Sequence, residues 1–381
     1  LSPPRPCVLF VGRAGGRLMD NVKYAFLHAA THDCGFDPLF LTTYRDEYHM
    51  LRDAHLPVVL DRLCTPALLQ QAALVVVDDF PDKMGAPLLH LQHTPFLQLW
   101  HGIPLKKIGF PEIESRVNMT PDKAKMLAAC YSGYAAVAST SPWVTQELFS
   151  KVFHAHEFWD TGYPRNDALL RPPTRQDMIN VDSQVYSRML QHQKTGGRIF
   201  MYMPTFRDTG GDFITDGVLD MESLLALCQR HNILVVAKFH PYLRCEAMQG
   251  LNHFIMCDSA SDAYPLLRLT DALITDYSSV YFDYLLLDKP ILFFAYDQDK
   301  YIRQDRELFF EYADMAPGPI ATDQTALFAH MLNLIRKEDN YAPARKSLRE
   351  RLFARTDDTA SAQVCARIRQ SLTSVPQPPH P

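Results

Sequence analysis

The chain has 381 residues, of which 47% are hydrophobic and 21% charged, and its net charge is −5. That length accommodates two domains with sizeable cores, and the apolar content excludes a chain that is disordered overall. The acidic balance argues against nucleic acid as the main partner, and no apolar run approaches the roughly 18 residues of a membrane span, although a local basic patch could still meet a membrane surface. Cysteines stand at 7, 34, 64, 130, 228, 245, 257 and 365 with no CxxC pair. Several fall in apolar segments, where cysteine packs as a small hydrophobe, and the expected setting is a reducing cytoplasm. The first residues, LSPPRPC, show neither an initiator Met nor the apolar core of a signal peptide, so a trimmed chain is expected.

Cys7 to Gly12 predicts a first strand that runs into the glycine-rich stretch Gly12–Gly16. The GxGxxG spacing is absent, so this reads as a tight turn or a loop at an acceptor site. A helix is predicted over Asp20–His32, and strands over Pro38–Leu41, Pro57–Leu60 and Leu74–Val77. Alternating β and α at these intervals points to a parallel, doubly wound sheet. Pro95–Trp100 is a further strand and delivers WHGIPLKKIG, with His101 at its carboxyl end. An imidazole there is either a base for an attacking hydroxyl or a structural histidine. Lys106 and Lys107 beside it suit a phosphate-bearing acceptor, or are a solvated pair. Pro121–Cys130 reads as a helix, Tyr134–Ala138 as a strand and Pro142–Phe149 as a helix capped by Ser141. His154 and His156 lack an evident third metal ligand and read as strand-edge residues. TGYPRND, residues 161–167, leaves Arg165, Asn166 and Asp167 at a strand tip. The first domain is expected to span 1–170, followed by a linker over 171–197 that contains Pro172-Pro173.

The second half, 198–345, opens with a strand at Ile199–Met203 and then PTFRD. Arg207 in that motif is either an anion clamp or one half of an arginine–aspartate brace. A helix over Met221–His231 precedes a strand at Ile233–Phe239 that ends in Lys238-Phe239-His240-Pro241, a second strand-end histidine. A strand at His253–Cys257 and a helix at Ala260–Leu269 lead to ALITDYSSVYFDYLLLDKPILFF, residues 272–294. There a short strand turns through Thr275-Asp276-Tyr277 into a helix starting at Ser278 and Ser279. Asp288-Lys289-Pro290 stops that helix before the next strand, Ile291–Phe294. Such a helix start is either a capped crossover or a site for phosphate or pyrophosphate, which orphan N–H groups and the helix dipole both favour. Helices are predicted at Gln324–Arg336 and Arg345–Arg355, and Asp357–Ser361 caps a last one. C-terminal helices therefore fill 346–372, and the proline-rich 373–381 reads as a disordered tail. The expected class is α/β, with two facing Rossmann-like domains and the active site in the cleft.

In combination, WHGIPLKKIG, GYPRND, YMPTFRD, KFHP, the 272–294 block and DDTASAQV resemble the signature blocks of the CDP-glycerol glycerophosphotransferases, the teichoic-acid and capsule polymerase family. The blocks from WHG to the 272–294 stretch occur in the family's order. The resemblance implies a GT-B fold with the acceptor domain first and the CDP-alditol donor domain second. It implies transfer of glycerol phosphate, or another alditol phosphate, from CDP-glycerol or CDP-ribitol to a hydroxyl of a growing polymer or lipid-linked acceptor, with CMP leaving. His101 then matches the general base and His240 the second essential histidine, near the donor pyrophosphate. Arg207, Asp276, Ser278 and Ser279 match positions lining the donor. Thr205, Lys238, Pro241, Thr275 and Asp283 are expected beside them, and Gly102, Lys106, Lys107, Arg165 and Asp167 on the acceptor side. No cofactor and no metal site are expected. The short, slightly acidic chain fits a compact capsule-type enzyme or a domain of a larger protein, in the cytoplasm at the inner face of the plasma membrane. A GT-B glycosyltransferase using a UDP-sugar and a non-catalytic nucleotide- or polymer-binding domain are the alternatives.

Overall fold

The computed structural model describes residues 5–115, 119–205, 207, 217–239 and 252–374. The chain divides into two compact units, one of Leu1–His101, Lys125–Asn180 and Phe353–Pro381, the other of Gly102–Ala124 and Val181–Leu352. The first unit is built on seven strands: β1 (Cys7–Val11), β2 (Asp37–Thr42), β3 (Val58–Leu60), β4 (Ala72–Val77), β5 (Phe96–Gln98), β6 (Ser132–Ala138) and β7 (His154–Trp159). Their order is β3-β2-β1-β4-β5-β6-β7, and every pair is parallel. A parallel sheet is covered on both faces, which is why β4 reads as the unbroken apolar run AALVVV. Phe10 and Val76 sit side by side in register. Val22, Ala25 and Phe26 of the helix Asp20–Thr31 pack on this sheet with Val364, Cys365 and Ile368 of the helix Ala360–Ser374.

Among the described residues the second unit has six strands, β8 (Arg198–Met203), β9 (Ile233–Ala237), β10 (Phe254–Met256), β11 (Ala272–Thr275), β12 (Ile291–Phe294) and β13 (Ile320–Ala321). Their order is β10-β9-β8-β11-β12-β13, again parallel throughout. Both sheets are doubly wound, the α/β class read from the sequence. The strand order reverses between β1 and β4 in one unit and between β8 and β11 in the other. Ligands of such sheets collect beyond the strand ends at those reversals.

Several boundaries differ from expectation, each for a tertiary reason. Residues 102–124 belong to the second unit rather than the first. Leu105 O accepts from Phe309 N at 3.0 Å, Lys107 N donates to Glu307 O at 2.8 Å, and Glu112 Oε1 takes Arg306 at 2.7 Å and Lys123 at 2.9 Å. The C-terminal helices divide as well: Ala342–Leu352 stays with the second unit and Ala360–Ser374 packs on the first. The helix expected over Ala260–Leu269 is reduced to Tyr264–Leu267, and Pro142–Phe149 widens into a π turn from Thr145. The strand β13 is too short to leave a periodic signal. Of the tail, 375–381 lies outside the described residues. Among the described residues no helix is long and apolar enough to cross a membrane.

Asp167 takes on a structural part. Its Oδ1 accepts from Ala360 N at 3.0 Å and its Oδ2 from Ser361 N at 2.9 Å, so it caps the final helix. The cap is buried, at 3% exposure, and both carboxylate oxygens are spent. Asp167→Ala is expected to lower unfolding free energy in denaturant titration by ~1–2 kcal/mol, as loss of a cap does; an unchanged midpoint would contradict the assignment.

Candidate active site

In the first unit, the reversal between β1 and β4 gathers the ends of β1, β4 and β5. The turn after β1 is tight. A Cβ on Gly12 would lie 1.9 Å from Arg17 O, and one on Gly16, at φ +125°, 2.5 Å from Thr42 Cα. This turn carries Arg13, whose guanidinium lies 3.7 Å from Asp20 and 3.9 Å from Asp79. Beyond β5, Trp100 adopts φ 54°, an uncommon conformation for a bulky residue. Side chains hold it there: Trp100 N donates to Gln98 Oε1 at 2.8 Å, and Asn21 Nδ2 donates to Trp100 O at 2.8 Å. Phe80, Tyr131 and Phe153 enclose its ring at centroid distances of 5.6, 5.4 and 5.2 Å.

The strained turn aims His101. Its Nδ1 lies 2.8 Å from Asp78 O, and a carbonyl only accepts, so Nδ1 carries the proton and Nε2 the lone pair. The indole of Trp100 lies against the ring at 4.0 Å. Burial, and then the Arg13 charge, push the imidazole down to about 3, although Asp79 and Asp20 pull the other way. His101 is thus neutral at physiological pH, with Nε2 able to accept a proton.

The three carboxylates around it are in different states. Burial, with the charge of Asp20 adding to it, raises Asp78 well above the carboxylate range. One of its oxygens accepts from Val22 N at 2.9 Å and the other has no partner among the described residues. Burial also opposes ionisation of Asp79, but Arg13, His101 and Lys83 outweigh it and hold Asp79 at about 2. Asp20 is lowered too: Arg165 and Arg13 overcome its desolvation. Arg165 Nη1 reaches Asp20 Oδ1 at 2.5 Å and His101 O at 2.9 Å, so it fixes the His101 loop. Lys107 pairs its ammonium with Glu307. Lys106 is half-buried and bridges through its backbone to Leu308, and Gly102 is buried at φ 146°; both sit in the segment that packs with the second unit.

The second unit gathers the ends of β8, β9 and β11. Arg207 is 3% exposed. Its Nε and Nη2 donate to Asp297 at 2.7 and 2.9 Å, and its Nη1 to Asp276 at 2.8 Å and Thr205 O at 2.6 Å. The fork is engaged by carboxylates, so in this structure Arg207 braces the turn. Tyr277, Tyr296 and Tyr301 surround its guanidinium at 5.1–5.4 Å. Asp276 Oδ1 accepts from Thr205 N at 2.8 Å and Tyr277 N at 2.6 Å, which makes it the knot of the turn. Thr275 Oγ1 donates to Met203 O at 2.7 Å, and buried Asp283 accepts from Tyr264 Oη at 2.6 Å. The Lys238 ammonium donates to the carbonyls of Asp258, Ser259 and Ser261 at 2.7, 3.0 and 2.7 Å. Ser278 and Ser279 remain. Both are half-buried, and Ser279, at the N-cap of Val280–Tyr284, makes no side-chain cap bond. Thr205 Oγ1 is a buried hydroxyl with no partner among the described residues. His240 and Pro241 lie outside the described residues.

Sequence reasoning passed over Arg13, Asp20, Asn21, Asp78, Asp79 and Gln98 in the first unit and Asp297 in the second. Asp78-Asp79 carried a readable signal, since a polar pair directly follows the apolar run of β4, just as His101 follows β5. Asn21 and Gln98 sit inside predicted elements and gave none.

Two outcomes follow from this geometry. Arg207→Ala leaves Asp276 and Asp297 as uncompensated buried charges and should cost ~3–5 kcal/mol in denaturant unfolding, with Arg207→Lys failing to restore it; a loss below about 1 kcal/mol would contradict the brace. His101 takes its proton near 6.5 when unfolded and near 3 when folded, so it withdraws stability as pH falls from 6.5 towards 3. The stability of the parent chain relative to His101→Gln should therefore decline over that window, and a difference that is flat or grows on acidification would contradict the low value.

Residues 4–370 match the family described as CDP-Glycerol:Poly(glycerophosphate) glycerophosphotransferase. The chain is 30% identical over 293 residues to a teichoic acid glycerol-phosphate transferase of Staphylococcus aureus, covering 72% of this chain and 71% of that one. It is 27% identical to a teichoic acid poly(glycerol phosphate) polymerase of Staphylococcus epidermidis, covering 71% of this chain but spanning only 38% of the polymerase. A teichoic acid ribitol-phosphate primase of Bacillus spizizenii is 29% identical, over 62% of this chain and 60% of the primase. In fold, the chain resembles the wall teichoic acid polymerase TagF, with a TM-score of 0.72 at 22% identity, covering 97% of this chain and 89% of that structure. That likeness bears out the GT-B class. The chain belongs to the CDP-glycerol:poly(glycerophosphate) glycerophosphotransferase family.

Proposed function

We propose that the chain transfers an alditol phosphate, glycerol phosphate in the first instance, from a CDP-activated donor to a hydroxyl of a polymer or lipid-linked acceptor. His101 takes the proton of the attacking hydroxyl at Nε2. The hydroxyl oxygen forms a bond to the β-phosphorus of the donor, the bridging oxygen bond breaks, and CMP leaves. The observation that carries this reading is the neutral, tautomer-fixed imidazole at a strand end, held by a strained turn that four side-chain and carbonyl contacts stabilise. Its low proton affinity suits an empty site. The phosphates of a bound donor would raise that affinity at the moment the base is needed, and the Asp79 and Asp20 carboxylates favour the imidazolium that forms.

On the donor side, Ser278 and Ser279 are the hydroxyls left for the pyrophosphate at the start of the helix after β11. The Asp276 knot and the Arg207 brace hold that turn in place. Family membership supports the donor class, and relatives named for both glycerol phosphate and ribitol phosphate support either alditol. His240 is assigned to the donor side on the sequence resemblance. With a lipid-linked acceptor, the reaction takes place at the inner face of the membrane, where the chain would dock peripherally.

The test is CMP release from CDP-glycerol and CDP-ribitol in the presence of glycerol-phosphate oligomers. His101→Ala should lose ~10²–10⁴-fold in turnover with donor binding retained, the range general base catalysis supplies. Release of UDP from UDP-sugars, with no CMP from either alditol donor, would replace this reading with a glycosyltransferase. Nucleotide binding without turnover of any donor would replace it with a binding domain.

A further inference from the structure

The first unit holds a second cluster of reactive side chains that the proposed transfer does not use. His28 lies in the helix Asp20–Thr31, Cys34 in the turn before β2 and Cys365 in the helix Ala360–Ser374. One ring nitrogen and the two sulfurs lie within 4.8 Å of one another. The Cys34 thiol faces both of the other groups, and the Cys365 thiol donates to Ala25 O at 3.8 Å. Cys365 is 2% exposed and Cys34 9%, and the three residues come from three separate elements. The local sequence builds this meeting. Gly35, at φ +81°, lets the chain turn into β2 directly after Cys34, and the Arg369 side chain of the final helix packs where its Cβ would stand, 3.1 Å away. His32, at the end of the first helix, stacks on His28 at 4.2 Å with the rings 11° apart.

Two thiols and an imidazole are a donor set for a borderline-soft cation. With metal–sulfur bonds of about 2.3 Å and metal–nitrogen bonds of about 2.0 Å, tetrahedral donors stand roughly 3.3–3.8 Å apart, so small rotamer changes close the cluster. We propose that His28, Cys34 and Cys365 bind a thiophilic divalent cation of the zinc class, which staples the C-terminal helix to the helix that begins at Asp20. Binding converts both thiols to thiolates and releases their two protons, and the fourth position goes to water or His32. The staple has a structural consequence near the strand ends. The helix it fixes carries Asp20 and Asn21, which hold Arg165 and the Trp100 carbonyl.

The probe is Co²⁺, titrated into the metal-stripped full chain under a phosphine reductant. Saturation at one equivalent is expected, with a thiolate-to-cobalt charge-transfer band and the visible bands of tetrahedral cobalt. Zn²⁺ should displace these bands and raise the melting temperature. Cys34→Ser and His28→Gln, at less buried positions than Cys365, should each weaken Co²⁺ binding by at least ~10–100-fold while keeping the parent circular dichroism. Cys64→Ser should bind as the parent does. Absence of a charge-transfer band in the parent chain, or its persistence at full affinity in Cys34→Ser, would overturn the site.

Discussion

The hydrogen bond from His101 Nδ1 to the carbonyl of Asp78 decides what the first unit can do chemically. A carbonyl partner fixes the tautomer without adding charge, unlike a carboxylate, which would hold the imidazole as a cation. The carboxyl of Asp78 itself is buried and pushed well above the ordinary range. Ionised charge is set back one step, on Asp79 and Asp20, and each of those is compensated by arginine or lysine. The arrangement keeps the imidazole neutral while placing negative charge close enough to favour its cation once a proton is taken up. It depends on a strained Trp100, and the strain is sustained because Gln98, Asn21 and the surrounding rings leave the turn no relaxed alternative.

The second unit solves a different problem. A turn that offers hydroxyls to an anion must not collapse onto its own polar atoms. Asp276 and Arg207 prevent this by satisfying each other, the Thr205 and Tyr277 amides and Asp297 in one buried network. Such a network adds little net stability, but it fixes geometry, because removing either charge strands the other. The left-handed Asp288, at φ 51°, and Lys289, bonded to the carbonyls of Arg268 and Thr270 at 2.7 and 2.6 Å, end the helix and turn the chain into β12. Arg207 and Lys238 both hold the scaffold of this region, one through carboxylates and the other through carbonyls.

The sheets were legible because buried parallel strands are continuous apolar runs, and the residues at their ends are then placed by the fold's rule. That rule puts His101, Ser278 and Ser279 forward as candidates. What could not be read was which long-range partner each polar residue takes. Arg207 was open between clamp and brace, and the decision lies with Asp297, 90 residues further on. Asp167 looked like a strand-tip ligand, yet its partners are amides 193 and 194 residues away. The allegiance of residues 102–124 was equally hidden, since it rests on Glu112 meeting Arg306. Strand periodicity carries local burial, whereas ion pairing is settled only once the chain has folded.

The central claim is the protonation state and tautomer of one imidazole. Nitrogen-15 NMR of histidine-labelled protein at pH 7, with His101→Gln supplying the assignment, reads both directly. The expected spectrum shows Nδ1 protonated and Nε2 with a bare lone pair, and Nε2 moving towards the protonated form when CDP-glycerol is added. A His101 ring that is already cationic at pH 7, or one protonated at Nε2 instead, would contradict the account.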